Sequence, residues 1–373
     1  MSRIEEDNYS GWDPYDGLKS PLFKLPLLRS NKSIRFISQQ LIKRSPVNLR
    51  PLLGIPKGRN PVTLGLCIQA YTNLAGSRPD EKNEYLNKIH PLVTELETLV
   101  PEGYSGACWG YDFDWAARNA SIPAFQPNVV ATGIISNALF QAWQAFGIGK
   151  CRDLCISAAA FVKNDLHRTY EGDAFCFSYS PFDRQQVFNA SMKGARLLSQ
   201  AYSLTGEADL KAMAEQAVRF VVRHQREDGS WFYSLAKKGN WIDNYHSGYI
   251  LDCLDEYIKM TGDNRFSGQL AKGYHFYKTR FFEPSAIPKF SPARTYPIDC
   301  TAAGQSLLTL CRFGDHDLAL RVASWMMQHM QSRKGNLYYR RSRLLTRKTS
   351  FMRWSNAWMF AGLAQLSPYL PRS

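Results

Sequence analysis

The sequence predicts an all-α, single-domain fold, an (α/α)6 toroid built from six helical hairpins. Three observations predict it: helical segments recur and end at the same residue type, they fall into two composition classes, and short links alternate with long ones along the 373 residues. Each recurring segment ends at a glycine, the residue that most often follows a helix C-terminus. These segments are 61–75, 128–146, 189–205, 245–261 and 298–313, and their spacing predicts a sixth near 355–366.

The predicted helices alternate between an inner and an outer ring. Inner segments such as 129–143 are rich in small and apolar residues, as a helix packed on all sides requires, whereas segment 209–225 carries a charged face. Residues 1–32 are predicted to be an N-terminal extension that packs on the toroid, and residues 33–370 to be the toroid domain. The predicted outer helices are 33–45, 83–99, 150–164, 207–225, 264–281 and 316–331.

The long links all precede inner helices, so they converge on one rim of the predicted toroid. The N-termini of the inner helices point toward the axis at this rim, and helix N-termini favour anions through their free N–H groups and the macrodipole. We therefore expect the ligand cleft at this rim, with an acidic ligand in it. The long links are 100–127, 165–188, 226–244, 282–297 and 332–353.

The composition is that of a globular protein, with 45% hydrophobic and 21% charged residues. No apolar run approaches the roughly 18 to 20 residues needed to span a bilayer, and residues 1–18 lack the cationic and apolar regions of a secretory signal. The eight cysteines form no CxxC pair and show no metal-ligand spacing. The sequence therefore predicts a cytoplasmic protein with reduced thiols, no cofactor and no bound metal.

The net charge of +14 is concentrated in two segments. Residues 17–79 carry eleven basic residues and no acid, and residues 318–373 carry ten basic residues and no acid. We expect these segments to lie side by side where the ring closes and to form one basic face. Such a face suits an acidic glycan or an anionic membrane surface, and a solvated face is the alternative. No nucleic-acid-binding motif is present, so the sequence predicts no nucleic-acid partner.

The loop 104–127 combines aromatic rings with carboxylates and one arginine. Aromatic rings stack on the CH faces of sugars while polar groups bind the hydroxyls, so this composition is typical of a sugar site. Asp114 is a candidate catalytic carboxylate, because its alternation with Asp112 turns one of the two toward the cleft. The alternative is that the rings pack the loop and the carboxylates pair with Arg118. The candidate substrate-binding residues of this loop are Trp109, Tyr111, Asp112, Trp115 and Arg118.

Residues 225–231, which read QREDGSW, end a predicted outer helix. The spacing Gln-x3-Gly-x-Trp resembles a structural clasp of terpenoid-cyclase toroids. Gln225 and Trp231 are therefore predicted to be structural, and they support the toroid rather than a reaction.

The inner helix that follows begins with a group suited to acid–base chemistry. Asp243 stands at the N-cap position, and Tyr245 and His246 fall on the first turn. A His and a Tyr presented together at a helix N-terminus are candidates for general base and general acid, and the dipole is expected to lower both pKa values. The alternatives are substrate binding or packing for His246, and capping alone for Asp243. Trp241, just before the helix, is a candidate substrate-binding residue.

The next inner helix begins near a further carboxylate. Asp299 lies on its first turn and is either an N-cap or the second carboxylate of a glycosidase pair with one of the aspartates already named. Tyr296, just before this helix, is a candidate substrate-binding residue.

The last long link carries arginine and aromatic side chains. Arg341, Arg353 and Trp354 are candidate substrate-binding residues, because arginine offers paired donors to a carboxylate or phosphate. On a uronate, His246 or Tyr245 would abstract the C5 proton while an arginine neutralises the carboxylate, which is lyase or epimerase chemistry. On a neutral glycan, an aspartate pair would give hydrolysis. A solvated basic loop is the alternative for this link.

Several stretches together resemble a family of six-hairpin-glycosidase-like proteins found with bacterial exopolysaccharide, capsule and lipopolysaccharide biosynthesis. Some members of that family carry a delta-aminolevulinic acid dehydratase label. The resemblance covers nearly the whole chain, but Ala116 or Ala117 stands where the family usually has Gln, and residues 245–248 read Tyr-His-Ser-Gly where it often has Phe-His-Thr-Gly. The matching stretches are GWDPYDGL at 11–18, WGYDFDWAAR at 109–118, QREDGSWFY at 225–233, IDNYHSGYILDCLDEY at 242–257, YPIDCTAAGQSLLTL at 296–310 and FMRWSNAWMFAGLA at 351–364.

The resemblance implies a carbohydrate-active enzyme of surface polysaccharide biosynthesis or modification that acts on an acidic or lipid-linked glycan. It leaves open a glycoside hydrolase-like reaction or a uronate lyase or epimerase, and fold analogy slightly favours hydrolysis. The alternative is a non-catalytic glycan-binding or scaffold subunit of the synthesis complex, docked through the basic face at the inner membrane. The dehydratase label has no support in the sequence, because the alternating strand–helix pattern of a TIM barrel is absent.

Overall fold

The computed structural model describes residues 2–26, 28, 31–116 and 121–370, and these residues form a single toroid of α-helices. The predicted fold class is confirmed. In chain order, the helices are α1 (Ser2–Glu6), α2 (Lys32–Arg44), α3 (Pro61–Ser77), α4 (Lys82–Thr98), α5 (Val129–Phe146), α6 (Gly149–Asn164), α7 (Phe188–Thr205), α8 (Ala208–Arg223), α9 (Asn244–Thr261), α10 (Ser267–Arg280), α11 (Cys300–Arg312), α12 (His316–Met330) and α13 (Trp358–Leu366).

The inner ring consists of α3, α5, α7, α9, α11 and α13, which contact one another in that order, and α13 closes the ring on α3. Nearly every residue in the first three turns of α5 and α7 is buried, because an inner helix is covered by two ring neighbours and by an outer helix. Polar N-caps begin four of these helices and accept first-turn backbone N–H groups, which fixes the helix starts at the long-link rim. These N-caps are Asn60, Asn128, Asp243 and Asp299.

The glycine pattern holds for four inner helices and fails for the first. Gly314, with φ of 79°, follows α11 after the C-cap residue Phe313. Gly147, Gly206 and Gly262 follow α5, α7 and α9 directly with φ of 70°, 76° and 70°, the left-handed conformation that glycine adopts without strain. Helix α3, by contrast, continues through Gly76 to Ser77. The glycine pattern therefore located this helix correctly but placed its end too early.

Within the described part of the chain, five outer helices pack on the inner helix that precedes each of them: α4, α6, α8, α10 and α12. The prediction that segment 33–45 is a sixth outer helix is wrong. Helix α2 forms there, but it packs on the short 3-10 helix Asp16–Lys19 and on strand β1 (Trp115–Ala116) at the long-link rim. It buries only Gln39 and Ile42, a contact far smaller than the apolar stripe that anchors an outer helix.

Short antiparallel strands brace the rim loops. Strand β1 pairs with β2 (Ser121–Ile122), and β3 (Arg168–Glu171) pairs with β4 (Ala174–Phe177). A three-stranded sheet joins β5 (Ile298–Asp299), β6 (Arg340–Arg341) and β7 (Thr346–Arg347), with Asp299 opposite Arg340. This sheet ties the start of α11 to the loop that precedes α13.

The two basic segments touch, and much of their charge is paired with acids inside the molecule. The Arg50 guanidinium lies 4.7 Å from the ring centre of Phe351, and Val47 and Leu345 line one groove. Among the described residues, no helix has both the length and the apolar composition needed to cross a membrane. The ion pairs made by these segments include Lys19–Asp112, Arg35–Asp114, Arg50–Asp16, Arg59–Glu95, Arg340–Asp299 and Arg353–Asp13.

Candidate active site

A cavity of about 270 Å³ opens at the long-link rim, on the toroid axis. Its walls are mainly aromatic, with His246, Arg353 and Asn189 as the polar side chains. The site that the sequence predicts at this rim therefore coincides with a cavity of the shape and composition that sugars occupy. The aromatic lining residues are Tyr15, Tyr111, Phe113, Trp115, Tyr179, Tyr233, Trp241, Tyr245, Tyr249, Trp354 and Trp358.

Asp243 and His246 form a hydrogen-bonded pair at the start of α9. Oδ1 of Asp243 accepts the backbone N–H of His246, and Oδ2 lies 2.6 Å from Nδ1 of the imidazole and 2.9 Å from Nε1 of Trp241. Because Asp243 is buried and surrounded by donors, it acts as an acceptor, so Nδ1 carries the proton of the neutral imidazole. The lone pair on Nε2 is then the basic site that His246 brings to the cavity.

Tyr245 does not have the lowered pKa that the sequence suggested. Burial raises the pKa of its hydroxyl well above the usual value, and the nearby Asp243 carboxylate adds to the effect. The rings of Tyr245 and His246 are in contact, with centres 4.1 Å apart. Tyr245 therefore remains protonated near neutrality, so it can donate a hydrogen bond or a proton but cannot serve as a base.

Arg353 is held beneath the cavity by a residue from the N-terminal segment. Its Nε and Nη2 donate to the two carboxylate oxygens of Asp13 at 2.7 and 3.0 Å, and both side chains are buried. The guanidinium also lies 4.8 Å from the ring centre of Tyr111 and 5.2 Å from that of Trp354. This fixed cation can bind an anionic group or a developing negative charge through its remaining nitrogen.

The two carboxylates of loop 104–127 lie outside the cavity lining. Asp112 is buried between Lys19 and Asn60, whose side chains donate to it at 2.5 and 2.7 Å. Asp114 pairs with Arg35 and accepts the backbone N–H of Ala124. Both therefore hold the N-terminal segment and α2 against the rim loop in this structure.

Asp299 also has structural partners. It caps α11 by accepting the backbone N–H groups of Thr301 and Ala302, and it forms a bidentate pair with Arg340. Its side chain is fully buried and also lies 3.3 Å from Nε1 of Trp354. This placement favours the N-cap interpretation over the glycosidase-pair interpretation.

The remaining predicted site residues divide into two groups. Tyr111, Trp115, Trp241 and Trp354 line the cavity together. Trp109 is fully buried and donates to the carbonyl of Leu96, while Tyr296 lies beside Arg340 and Arg347 at the edge of the β5–β7 sheet, and Arg341 lies in that sheet. Arg118 lies outside the described residues.

The sequence reasoning missed several lining residues. Tyr15 belongs to the GWDPYDGL stretch, whose place in the resemblance was the one signal for it, and Tyr249 and Trp358 are helix residues that resemble ordinary core. Asn189, at the start of α7, has a buried Oδ1 without a hydrogen-bond partner in the described structure. An unpaired acceptor in a sugar-sized cavity is a natural partner for a hydroxyl.

No protein-family model and no curated protein matches the chain. Solved structures do match. Cellobiose 2-epimerase from Bacillus thermoamylovorans superposes with a TM-score of 0.64 at 10% identity, covering 85% of this chain and 90% of that one. A family 76 α-mannanase from Bacteroides thetaiotaomicron gives 0.58 at 12% identity over 82% and 86%. A D-mannose isomerase gives 0.57 at 10% identity over 82% and 87%. At these identities the likeness establishes the six-hairpin toroid fold that they share.

Proposed function

We propose that the chain is a carbohydrate-active enzyme that moves a proton on a bound sugar, with His246 as the general base. The observation that carries the proposal is the Asp243–His246 pair at the wall of an aromatic, sugar-sized cavity. The fold likeness to a cellobiose 2-epimerase and a mannose isomerase supports the same class of chemistry.

In the proposed reaction, Nε2 of His246 removes a proton from the carbon beside the carbonyl of an open-chain sugar, or from C5 of a uronate. The electron pair of the broken C–H bond enters an enediolate, whose negative charge faces the Arg353 guanidinium. Asp243 stabilises the imidazolium that forms, and Tyr245 donates a hydrogen bond to a sugar oxygen. Return of the proton from Nε2 of His246 to the neighbouring carbon completes an isomerisation. Its return to the original carbon, after the enediolate has turned so that its other face meets His246, completes an epimerisation.

Hydrolysis by an aspartate pair is the weaker candidate. Such chemistry needs two carboxyl groups on either side of the glycosidic bond. Asp112, Asp114 and Asp299 are each bound to a basic side chain and are not among the described lining residues of the cavity. Asp243 lies behind the cavity wall, and its carboxylate is occupied by His246 and Trp241.

We further propose that the substrate is an acidic or lipid-linked glycan of a bacterial surface polysaccharide, and that the protein works at the inner membrane. The sequence resemblance supports a role in surface polysaccharide biosynthesis, and the Arg353 cation supports an acidic substrate. Eleven of the sixteen exposed large hydrophobic residues in the described structure lie in the two basic segments. They are Leu22, Leu25, Ile34, Ile37, Leu41, Val47, Leu52, Leu344, Leu345, Tyr369 and Leu370.

Three of these residues form an apolar stripe on α2. Ile34, Ile37 and Leu41 are spaced so that they share one helix face, and Leu41 is 65% exposed. The segment that carries them contains no acidic residue, and Lys32 and Arg44 are exposed at the two ends of the helix. Apolar side chains flanked by cations suit the interface of an anionic bilayer.

The test is incubation in deuterated water with mannose, cellobiose, glucuronate and the host's polysaccharide precursors, followed by mass spectrometry and NMR. We expect carbon-bound deuterium with the native chain and a loss of about 10² to 10⁴ in rate for His246→Ala. Asp243→Asn should lose a similar factor while its melting temperature changes little, because Asn caps a helix as well as Asp does. Asp114→Asn, which alters only a rim contact, is the matched control and should keep its rate.

Other outcomes would overturn the proposal. New reducing ends that disappear in Asp299→Asn but persist in His246→Ala would establish hydrolysis instead. Retention of glycan binding with no turnover of any substrate would favour the non-catalytic scaffold.

A further inference from the structure

A second cavity, of about 380 Å³, lies on the toroid axis at the end away from the long links. The middle and C-terminal parts of inner helices form its walls, and these walls are more polar than those of the first cavity. Ile134, Tyr249 and Trp358 line both cavities, so a single layer of side chains separates the two. We call this second space the polar cavity.

Two cations in the polar cavity have no ion-pair partner among the described residues. Lys193 and Arg196, on α7, are only 2% and 6% exposed. Lys193 instead places Nζ 3.7 Å from the ring centre of Tyr249, and Arg196 donates to the carbonyl of Gly133. The other cations of the cavity differ, because Arg312 and Lys259 both pair with the carboxylate of Asp255.

Polar atoms without partners belong to side chains that line the same cavity. Nε of Arg196 and Nδ2 of Asn73 are buried donors without an acceptor in the described structure. Oδ1 of Asp252 and Oε1 of Gln141 are buried acceptors without a donor there, and Asp252 is 92% buried, being 8% exposed. Buried polar groups in folded proteins are nearly always hydrogen-bonded, to protein or to ordered water, so these side chains keep hydrogen-bonding capacity for a molecule in the cavity.

We propose that the polar cavity is a second ligand site, which binds a sugar-sized metabolite carrying a phosphate or carboxylate group. Lys193 and Arg196 bind the anionic group. Asp252 and Gln141 accept hydrogen bonds from hydroxyls on the rest of the molecule, and Asn73 donates to it.

The arrangement of charge favours this class of ligand over a neutral one. Burial lowers the pKa of Lys193 to about 7, and the Arg196 guanidinium adds to the effect, so this position disfavours the charged ammonium. An anion beside Lys193 and Arg196 removes that penalty, whereas water or a neutral sugar supplies no opposite charge. The acceptors Asp252 and Gln141 require donor groups, which a bare inorganic anion such as sulfate lacks.

Calorimetric titration tests the proposal with four named probes: glucose 6-phosphate, glucuronate, sulfate and glucose. We expect binding of glucose 6-phosphate or glucuronate that depends on Lys193, at least tenfold weaker binding of sulfate, and no effect of Lys193→Met on any binding of glucose. Which of the first two binds tighter identifies the anionic group. Lys193→Met should weaken the tighter ligand by at least tenfold, while Lys237→Met, at an exposed loop position, should leave it unchanged.

A crystal of the native chain soaked in sodium selenate locates the anion directly, whatever the variant's stability. An anomalous peak beside Lys193 and Arg196 supports the site. No binding of either sugar anion, equal binding by Lys193→Met, or a selenate peak confined to the aromatic cavity overturns it. His246→Ala separates this inference from the proposed function, because it should abolish turnover and leave binding in the polar cavity intact.

Discussion

At the scale of single residues, Asp243 shows why part of the site could be predicted from the sequence. An acidic residue just before an apolar helical run is a local N-cap signal, and the structure places Asp243 at that position. The signal does not say that the same carboxylate also orients His246, because that contact depends on the side chain's second oxygen. The N-cap signal also says nothing about how deeply Tyr245 is buried, and for that reason the expected direction of its pKa shift was wrong.

Lys193 gives a pH prediction whose sign is the reverse of the usual lysine case. Its pKa falls from 10.5 to about 7 on folding, so between these values the unfolded chain binds more protons than the folded one. Stability contributed at this residue therefore rises with pH above about 7, at up to about 1.4 kcal/mol per unit. The titratable groups that influence Lys193 are Arg196 on its own helix and Cys253 and Asp252 on α9.

Urea unfolding of the native chain and of Lys193→Met at pH 7.5 and 9 checks this expectation. Between pH 7.5 and 9, the free energy of unfolding of the native chain should rise by about 1 to 2 kcal/mol relative to that of Lys193→Met, because all other groups titrate alike in both proteins. A difference that stays constant, or that shrinks with pH, would show that Lys193 keeps its ordinary pKa in the folded protein.

At the scale of elements, the predicted clasp joins two neighbouring hairpins. Nε2 of Gln225 donates to the carbonyls of Gly229 and Gln269, and the Trp231 indole donates to the carbonyl of Val221. The structural role expected of Gln225 and Trp231 thus has a geometric basis: they bind the end of α8 to α10.

A close approach on α10 gives a matched pair of substitutions. A Cβ at Gly273 would lie 2.7 Å from the Trp231 ring, whereas a Cβ at Gly268, on the same helix, meets nothing within 4 Å. Gly273→Ala should therefore destabilise the protein by about 1 to 3 kcal/mol through overpacking. Gly268→Ala should be neutral or slightly stabilising, because alanine is the better helix former.

Thermal and urea unfolding of both variants test that contrast. Equal stability of the two would mean that the clasp yields without strain and that α10 is not held by Trp231. The comparison needs no assumption about helix propensity, since both positions change in the same way.

Helix α2 shows what element-level reasoning could not supply. Its boundaries followed from helical periodicity and agree with the structure within two residues. The position of α2 in the fold could not be predicted in this way, because a sequence pattern shows which face of a helix is apolar but not which partner covers it. The contacts that hold α2 at the rim, from Arg35 to Asp114 and from Gln39 to the carbonyl of Tyr15, join residues far apart in the chain.

At the scale of the whole molecule, the fold was predictable because a toroid repeats its signals six times. The position of the cavity followed from the long links. The charge asymmetry was also real, but its interpretation changes: the acid-free segments supply cations that pair with acids elsewhere, such as Lys19 with Asp112 and Arg340 with Asp299. The surface these segments leave exposed is accordingly more apolar and less basic than the sequence suggested.

The proposed membrane contact can be tested on that surface. Co-sedimentation with phosphatidylglycerol-containing vesicles should be strong for the native chain and reduced at least fivefold by the double change Ile37→Glu and Leu41→Glu. A matched change at another exposed apolar position far along the chain, Phe182→Glu, should have little effect. Vesicle binding that weakens with added salt but is unchanged by the α2 substitutions would show that charge attraction alone holds the protein to the membrane.

The ion pair between Asp13 and Arg353 has a consequence for biosynthesis of the protein itself. The two residues are 340 positions apart, and beside them the rings of Tyr15 and Trp354 pack with centres 5.8 Å apart. At about 5 to 20 residues per second, the ribosome makes Asp13 tens of seconds before its partner emerges. Throughout that interval the N-terminal segment lacks the partner residues of the last long link, so the aromatic cavity is among the last parts of the nascent chain to be completed.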